Sequence, residues 1–128
     1  MRLLLDTHIL LWALIEPTRL TDQARSVLED PAHEVLFSAA SIWEIAIKHA
    51  LGRADFKVTP DAILHAALES GFAELPVRSA AALRVATLPP LHRDPFDRLL
   101  VAQAMTEPAI FYTADETLQA YSDLVVRV

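Results

Sequence analysis

Apolar residues along this chain follow two alternating rhythms. Short runs with a strand's length, Arg2–Asp6, Glu34–Ser38 and Ala109–Thr113, are separated by longer stretches with apolar positions at helical spacing. Phe72–Val77 and Leu124–Val128 carry a fainter strand pattern. The helical spacing predicts helices over about Thr7–Ile15, Asp22–Leu28, Ser41–Leu51, Asp61–Glu69, Ala80–Thr87 and Phe96–Met105. Thr59-Pro60-Asp61 reads as a helix start, with Thr as N-cap and Pro at the first helical position. Gly52 and Gly71 stand where two of these helices would end. Strands alternating with helices predict an α/β fold, a parallel sheet of about five strands flanked by helices on both faces. In such sheets ligands gather beyond the carboxyl ends of the strands, where the helices begin.

No repeat, low-complexity segment or linker interrupts the pattern, so residues 1–128 read as one domain. A chain of this length buries roughly two thirds of the surface its unfolded form exposes. Hydrophobic residues make up 53% of it, a surplus that suggests apolar surface for a partner. The run Ile9–Ile15 is apolar nearly all round, more than one sheet face requires. Burial between the sheet and another helix accounts for this, and so does a protein or homodimer surface with Trp12 and Trp43 as anchors. The run is too short to span a bilayer. Asp6 and His8 break the opening leucines that would otherwise mimic a signal peptide. The expectation is a cytoplasmic protein without a membrane segment. The lack of cysteine excludes disulfides and thiolate metal sites. A net charge of −6, from 11 basic and 17 acidic residues, counts against nucleic acid as a partner. The objection weakens if several acids are gathered around metal ions.

Four acids fall on the ligand-binding edge of the predicted sheet. Asp6 ends the first strand, Glu44 lies near the start of a helix, Asp97 precedes Leu99-Leu100-Val101-Ala102, and Asp115 follows the strand Ile110–Thr113. Helix capping explains much of this placement. Ser41…Glu44 and Thr113…Glu116 fit the capping box, Asp6 and Asp94 can serve as N-caps, and Asp97 would sit in a dipole-favoured first turn. Spacing leaves both readings open, and local chemistry favours the other one. An unpaired carboxylate is costly where an apolar strand meets an apolar helix. Several carboxylates crowded there would force protonation unless a cation is present. Hard divalent ions with oxygen ligands remove that conflict, and a pair of them can clamp an in-line phosphodiester displacement.

Four segments then resemble one family in order and spacing across essentially the whole chain. Leu3-Leu4-Leu5-Asp6-Thr7-His8-Ile9-Leu10-Leu11-Trp12 is similar to the opening of VapC-like PIN domains. Ser41-Ile42-Trp43-Glu44-Ile45-Ala46-Ile47-Lys48 resembles their second acidic motif. His92-Arg93-Asp94-Pro95-Phe96-Asp97-Arg98-Leu99-Leu100 resembles the third, and Thr113-Ala114-Asp115-Glu116 the fourth. Each motif is weak alone, whereas the ordered set is specific. The resemblance implies an endoribonuclease using Mg²⁺ or Mn²⁺, with Asp6 and Asp97 as principal metal ligands. Glu44 and Asp115 would complete the acidic pocket, and an activated water would attack phosphorus to leave a 5′-phosphate and a 3′-hydroxyl. Asp94 fits the motif, but its capping role explains it adequately. PIN toxins of this kind are dimeric and bound by a cognate antitoxin whose tail covers the pocket.

Arg93 and Arg98 flank the third motif and are candidate phosphate contacts. Lys48, four residues after Glu44, would pair with it on a helix or meet a phosphate instead. His8 and His92 lie nearest the acidic motifs, and no His-x-x-x-His pair suggests zinc, so a surface or supporting role is expected of them. Three other functions fit parts of the pattern. One is a PIN nuclease that processes RNA without a toxin role. The second is a phosphatase with Asp6 as nucleophile, weakened because His8 stands where a second acid is wanted. The third is a binding module whose acids only cap helices.

Overall fold

Leu3, Leu4 and Leu5 are fully enclosed in the computed structural model, which describes residues 1–128. They form β1 (Arg2–Leu5), the middle strand of a sheet whose other members are β2 (Glu34–Ser38), β3 (Ala73–Leu75), β4 (Ile110–Thr113) and β5 (Val125–Arg127). The order is β3-β2-β1-β4-β5, and every pairing is parallel. A central parallel strand is covered on both sides, so a continuous apolar run suits it better than alternation. Leu3 and Leu5 enter one core with Val35, Phe37 and Tyr112, while Leu4 enters the other with Leu36, Phe111 and Val125.

Six α-helices close the two faces: α1 (Thr7–Ile15), α2 (Asp22–Glu29), α3 (Ala39–Ala50), α4 (Pro60–Glu69), α5 (Ser79–Val85) and α6 (Pro95–Thr106). Short 3₁₀ helices at Pro17–Arg19 and Glu116–Tyr121 have no counterpart in the sequence-based expectation. The first core is sealed by α1, α2 and α4, through Ile9, Leu10, Ala24, Ile63 and Ala67. The second is sealed by α5 and α6, through Val85 and through Leu100, Val101 and Ala104. The predicted α/β architecture with helices on both faces is the observed one.

Gly52 (φ 73°) and Gly71 (φ 84°) end α3 and α4 in the left-handed conformation that only glycine adopts freely. Each is followed by a hydrogen bond reaching back five residues, Arg53 N–H to Lys48 O and Phe72 N–H to Ala67 O, the Schellman stop. The start of α3 differs from its prediction. Ser38, not a residue near Ser41, caps it by accepting from Ala40 N–H at 3.0 Å. Ser41 is therefore an interior helical residue, and its capping box with Glu44 does not form. Its hydroxyl accepts from Thr7 Oγ1 at 2.9 Å, which ties α3 to the start of α1.

The apolar belt of α1 is largely used inside the molecule. Ile9, Leu10 and Leu11 are buried, and Trp12 is half-buried beneath the Arg19 guanidinium, 4.5 Å from the ring centre. The exposed apolar stripe lies on α3 instead, where Trp43, Ile47 and Leu51 recur every fourth residue.

Candidate active site

The sheet's connections run one way from β1 to β2 and β3, and the other way to β4 and β5. The crevice beyond the carboxyl ends of β1 and β4 is therefore the topological switch point, where open α/β sheets bind ligands. Asp6 leaves the end of β1 there, and Asp115 follows the end of β4. The second turn of α3 contributes Glu44, and the start of α6 contributes Asp94 and Asp97. These five carboxylates, with His8, Trp12, Lys48 and Ala114, line one cleft of about 320 Å³. All four acids singled out by the sequence motifs meet in it, together with Asp94.

Capping accounts for some of them and not for others. Asp6 accepts from His8 N–H at 2.9 Å, Asp94 from Phe96 N–H at 2.9 Å, and Asp115 from Thr117 N–H at 2.9 Å. Each also stands at the N-cap position of the helix that follows. Asp97 and Glu44 cap nothing. Glu44 is 2% exposed, its Oε2 meets Lys48 Nζ at 2.5 Å, and its buried Oε1 has no hydrogen-bond partner. A buried carboxylate oxygen left unpaired is costly. A hard cation is a partner that would satisfy it, so the donor set fits Mg²⁺ or Mn²⁺.

The electrostatics carry the same signature. Burial and then the charges of Asp6, Asp94, Glu44 and Asp115 push the Asp97 carboxyl up to about 8. Burial also raises Asp6, against the opposing hydrogen bonds from Thr113 and His8. Asp115 is held low, chiefly by the Thr117 hydroxyl, with help from Thr117 N–H and His92.

Around the acids lies a frame of small polar residues. The Thr113 hydroxyl donates to Asp6 Oδ2 at 2.6 Å and accepts from Asp115 N–H at 3.0 Å, joining the first and last acidic segments. Ser38 Oγ donates to Gln103 Oε1 at 2.6 Å, fixing the start of α3 against α6. Thr7 carries no expected role in the sequence, and Ser41 and Thr113 read there only as capping-box residues. The signal in the sequence for a framing role is that a hydroxyl stands within three residues of each of three acids.

The basic candidates separate. Lys48 lines the cleft beside Glu44. Arg93 is exposed outside the cleft lining. Arg98, the other expected phosphate contact, also lies outside the cleft lining. Its guanidinium donates to the carbonyls of Val85, Leu88, Pro89 and His92 and to the Tyr121 hydroxyl, at 3.2–3.5 Å. A planar five-donor fork suits that task, and an ammonium does not. Arg98→Lys is therefore expected to lower stability by about 2 kcal/mol, because part-buried carbonyls lose their partners. Urea unfolding measures this; an unchanged midpoint with weakened RNA binding would return Arg98 to the phosphate role.

Among solved structures the chain is similar to VapBC2 from Rickettsia felis bound to a DNA fragment from their promoter, at TM-score 0.75 and 14% identity, covering 99% of this chain and 98% of that one. FitAcB from Neisseria gonorrhoeae aligns at TM-score 0.57 and 24% identity, over 98% of this chain and 95% of that one. A domain of a functionally unknown protein from Methanocaldococcus jannaschii aligns at TM-score 0.63 and 13% identity, over 99% and 90%. A search of curated proteins finds no significant match. These likenesses concern the fold. The sequence profile of the PIN domain matches residues 3–124, nearly the whole chain, and the chain belongs to the PIN domain family.

Proposed function

We propose that this protein is a divalent-metal-dependent endoribonuclease and the toxin half of a toxin–antitoxin pair, working in the cytoplasm. PIN domains are generally nucleases, and two of the similar folds come from VapBC2 and FitAcB. The observation that carries the reading is the pairing of a buried, unpartnered Glu44 Oε1 with four further carboxylates in one cleft. A capping module accounts for Asp97 only through the weak helix-dipole term and leaves the buried Glu44 unexplained. A phosphatase using Asp6 as nucleophile fits poorly, because that side chain is 6% exposed and both its oxygens accept hydrogen bonds.

Asp6, Asp97, Glu44 and Asp115 would hold Mg²⁺ or Mn²⁺. Such an ion lowers the pKa of an attacking water and offsets charge developing on the phosphoryl oxygens. The protein's own groups set the geometry. Thr113 holds Asp6, and the N-termini of α1 and α6 offer positive partial charge to a phosphate at the cleft. Lys48 offsets one charge of the acidic set and is the one lysine or arginine in the cleft lining.

The partner reading rests on the α3 stripe. Trp43 packs edge-on against Phe96 at 5.1 Å, and it and Glu44 are neighbours, so the apolar surface continues to the rim of the acidic cleft. An antitoxin with an apolar helix and a basic tail complements both parts, and the homodimer is assigned to the remaining apolar surface. The test takes one preparation, sedimented at micromolar concentration to read its oligomeric state, then incubated with mixed RNA in Mn²⁺ or chelator. Cleavage with Mn²⁺ and none with chelator is expected. RNA left intact under both conditions overturns the nuclease reading.

A further inference from the structure

The two ring nitrogens of His92 are committed in opposite senses. The main-chain N–H of Asp94 donates to Nδ1 at 3.2 Å, so Nδ1 presents a lone pair. In the neutral ring the proton then sits on Nε2. Nε2 lies 3.0 Å from Asp115 Oδ2 and 3.7 Å from Asp97 Oδ2, which makes Asp115 the acceptor. The other oxygen of Asp115 accepts from Thr117 N–H at 2.9 Å and from the Thr117 hydroxyl at 2.6 Å. His92 and Thr117 thus hold one carboxylate from two sides. The imidazole is itself anchored twice, by Asp94 at the ring and by Arg98, whose Nη1 donates to the His92 carbonyl at 3.5 Å.

The same atoms invite another assignment. His92, Asp97 and Asp115 offer donor atoms that all lie within 4.8 Å of one another, as a mixed nitrogen–oxygen metal site would. The hydrogen bond to Nδ1 opposes it. For Nε2 to bind a cation, its lone pair must face the ion and the ring proton must move to Nδ1. That proton would meet the Asp94 N–H head-on, two donors with no acceptor between them. Asp94 is the N-cap of α6, so its main chain is not free to turn away.

We infer that His92 is a positioning residue that donates from Nε2 to Asp115 and stays outside the ligand set. This rests on the metal-nuclease reading above and adds a statement about selectivity. With Nε2 of His92 turned into a donor, the group of His92, Asp97 and Asp115 presents oxygen alone to a cation, which suits Mg²⁺ and Mn²⁺ over ions that seek imidazole. It also gives Arg98 a part in the site, since the guanidinium that gathers the 85–92 carbonyls holds the His92 main chain in place.

The test measures Mn²⁺ affinity by calorimetry and nitrogen coupling to bound Mn²⁺ by pulsed electron paramagnetic resonance. Hydrogen-bond partners of metal-ligating carboxylates typically contribute about 10–100-fold in metal affinity. His92→Ala is expected to weaken Mn²⁺ binding at least about tenfold on that basis. His92→Gln, whose amide can donate at similar reach, should restore most of it. In an Asp115→Ala background, His92→Ala should change the affinity no further, because the route through Asp115 is gone. The parent should show no coupling from a directly bound imidazole nitrogen. Such coupling in the parent, lost in His92→Ala, makes His92 a ligand and overturns the inference. Unchanged affinity in His92→Ala, or an equal further loss in the Asp115→Ala background, overturns it as well. A parent that binds no Mn²⁺ at all brings down the metal-nuclease reading, and this assignment with it.

Discussion

Asp97→Asn is expected to reduce RNA cleavage on the order of a thousandfold, while the metal-free protein stays as stable as the parent or gains stability. Metal ions supply several kcal/mol of charge stabilisation to such a displacement, at about 1.4 kcal/mol per tenfold in rate. A ligand that loses its charge forfeits much of that. The folded protein carries the opposite burden at this position. Burial and four neighbouring carboxylates push the Asp97 carboxyl up to about 8, so its ionised form is a destabilising presence without a cation. Asparagine keeps the shape and removes the charge. The helix-dipole term lost from the first turn of α6 is only about 0.3–1 kcal/mol. Asp94→Asn is the contrasting variant. Asp94 accepts from Phe96 N–H at 2.9 Å, a cap that asparagine makes nearly as well, so folding and most activity should survive. The measurements are cleavage rate and melting temperature for both variants, with Mn²⁺ and with chelator. Parent-like cleavage by Asp97→Asn, with Mn²⁺ still stabilising it as before, would remove Asp97 from the metal site.

The fold was legible because one physical rule generates both the sequence pattern and the sheet. Leu3-Leu4-Leu5 reads as a buried strand without alternation, and it lies at the centre with a core on each side. The acidic edge follows from the same rule, since a parallel sheet sends every strand end and helix start to one side. What the sequence hid are features set by tertiary contacts between distant segments. Ser41 looks like half of a capping box with Glu44, yet it is interior to α3 because Ser38 captures the cap and Thr7 claims the Ser41 hydroxyl. Arg98 looks like a phosphate ligand beside Asp97. The carbonyls of Val85 at the end of α5 and of Leu88, Pro89 and His92 beyond it surround its guanidinium, and no local pattern announces that. His92 is the intermediate case. Its nearness to the acids was visible, but its proton's place depends on the Asp94 N–H and on Asp115, 23 residues away.

In chelator, stability should fall as the pH is raised from about 5 to about 8, and Mn²⁺ should offset that fall. The sign follows from Asp97, whose carboxyl moves from an ordinary 3.8 to about 8 on folding. Between those values the folded state holds a proton that the unfolded state has released. Stability is therefore fully present below the unfolded value and is lost progressively as pH rises through the folded one. Asp6 is shifted in the same direction by burial and adds to the slope. Asp115 is held low, so its contribution has the opposite sign and is confined to the acid side of the ordinary carboxylate range. A cation binds the deprotonated form, so its affinity grows over the window in which the empty site is most strained. At 100 times its dissociation constant, Mn²⁺ adds about 2.7 kcal/mol. The gap between the Mn²⁺ and chelator melting curves should accordingly widen from pH 5 to pH 8. Asp97→Asn should flatten the chelator slope and narrow the gap, because the proton and much of the metal site are removed together. Thermal unfolding at four or five pH values decides the matter. Coincident curves with Mn²⁺ and with chelator across the whole window would mean that the acids share no ion. A chelator slope equally steep in Asp97→Asn would mean that the proton belongs elsewhere in the cluster, with Asp6 the first place to look.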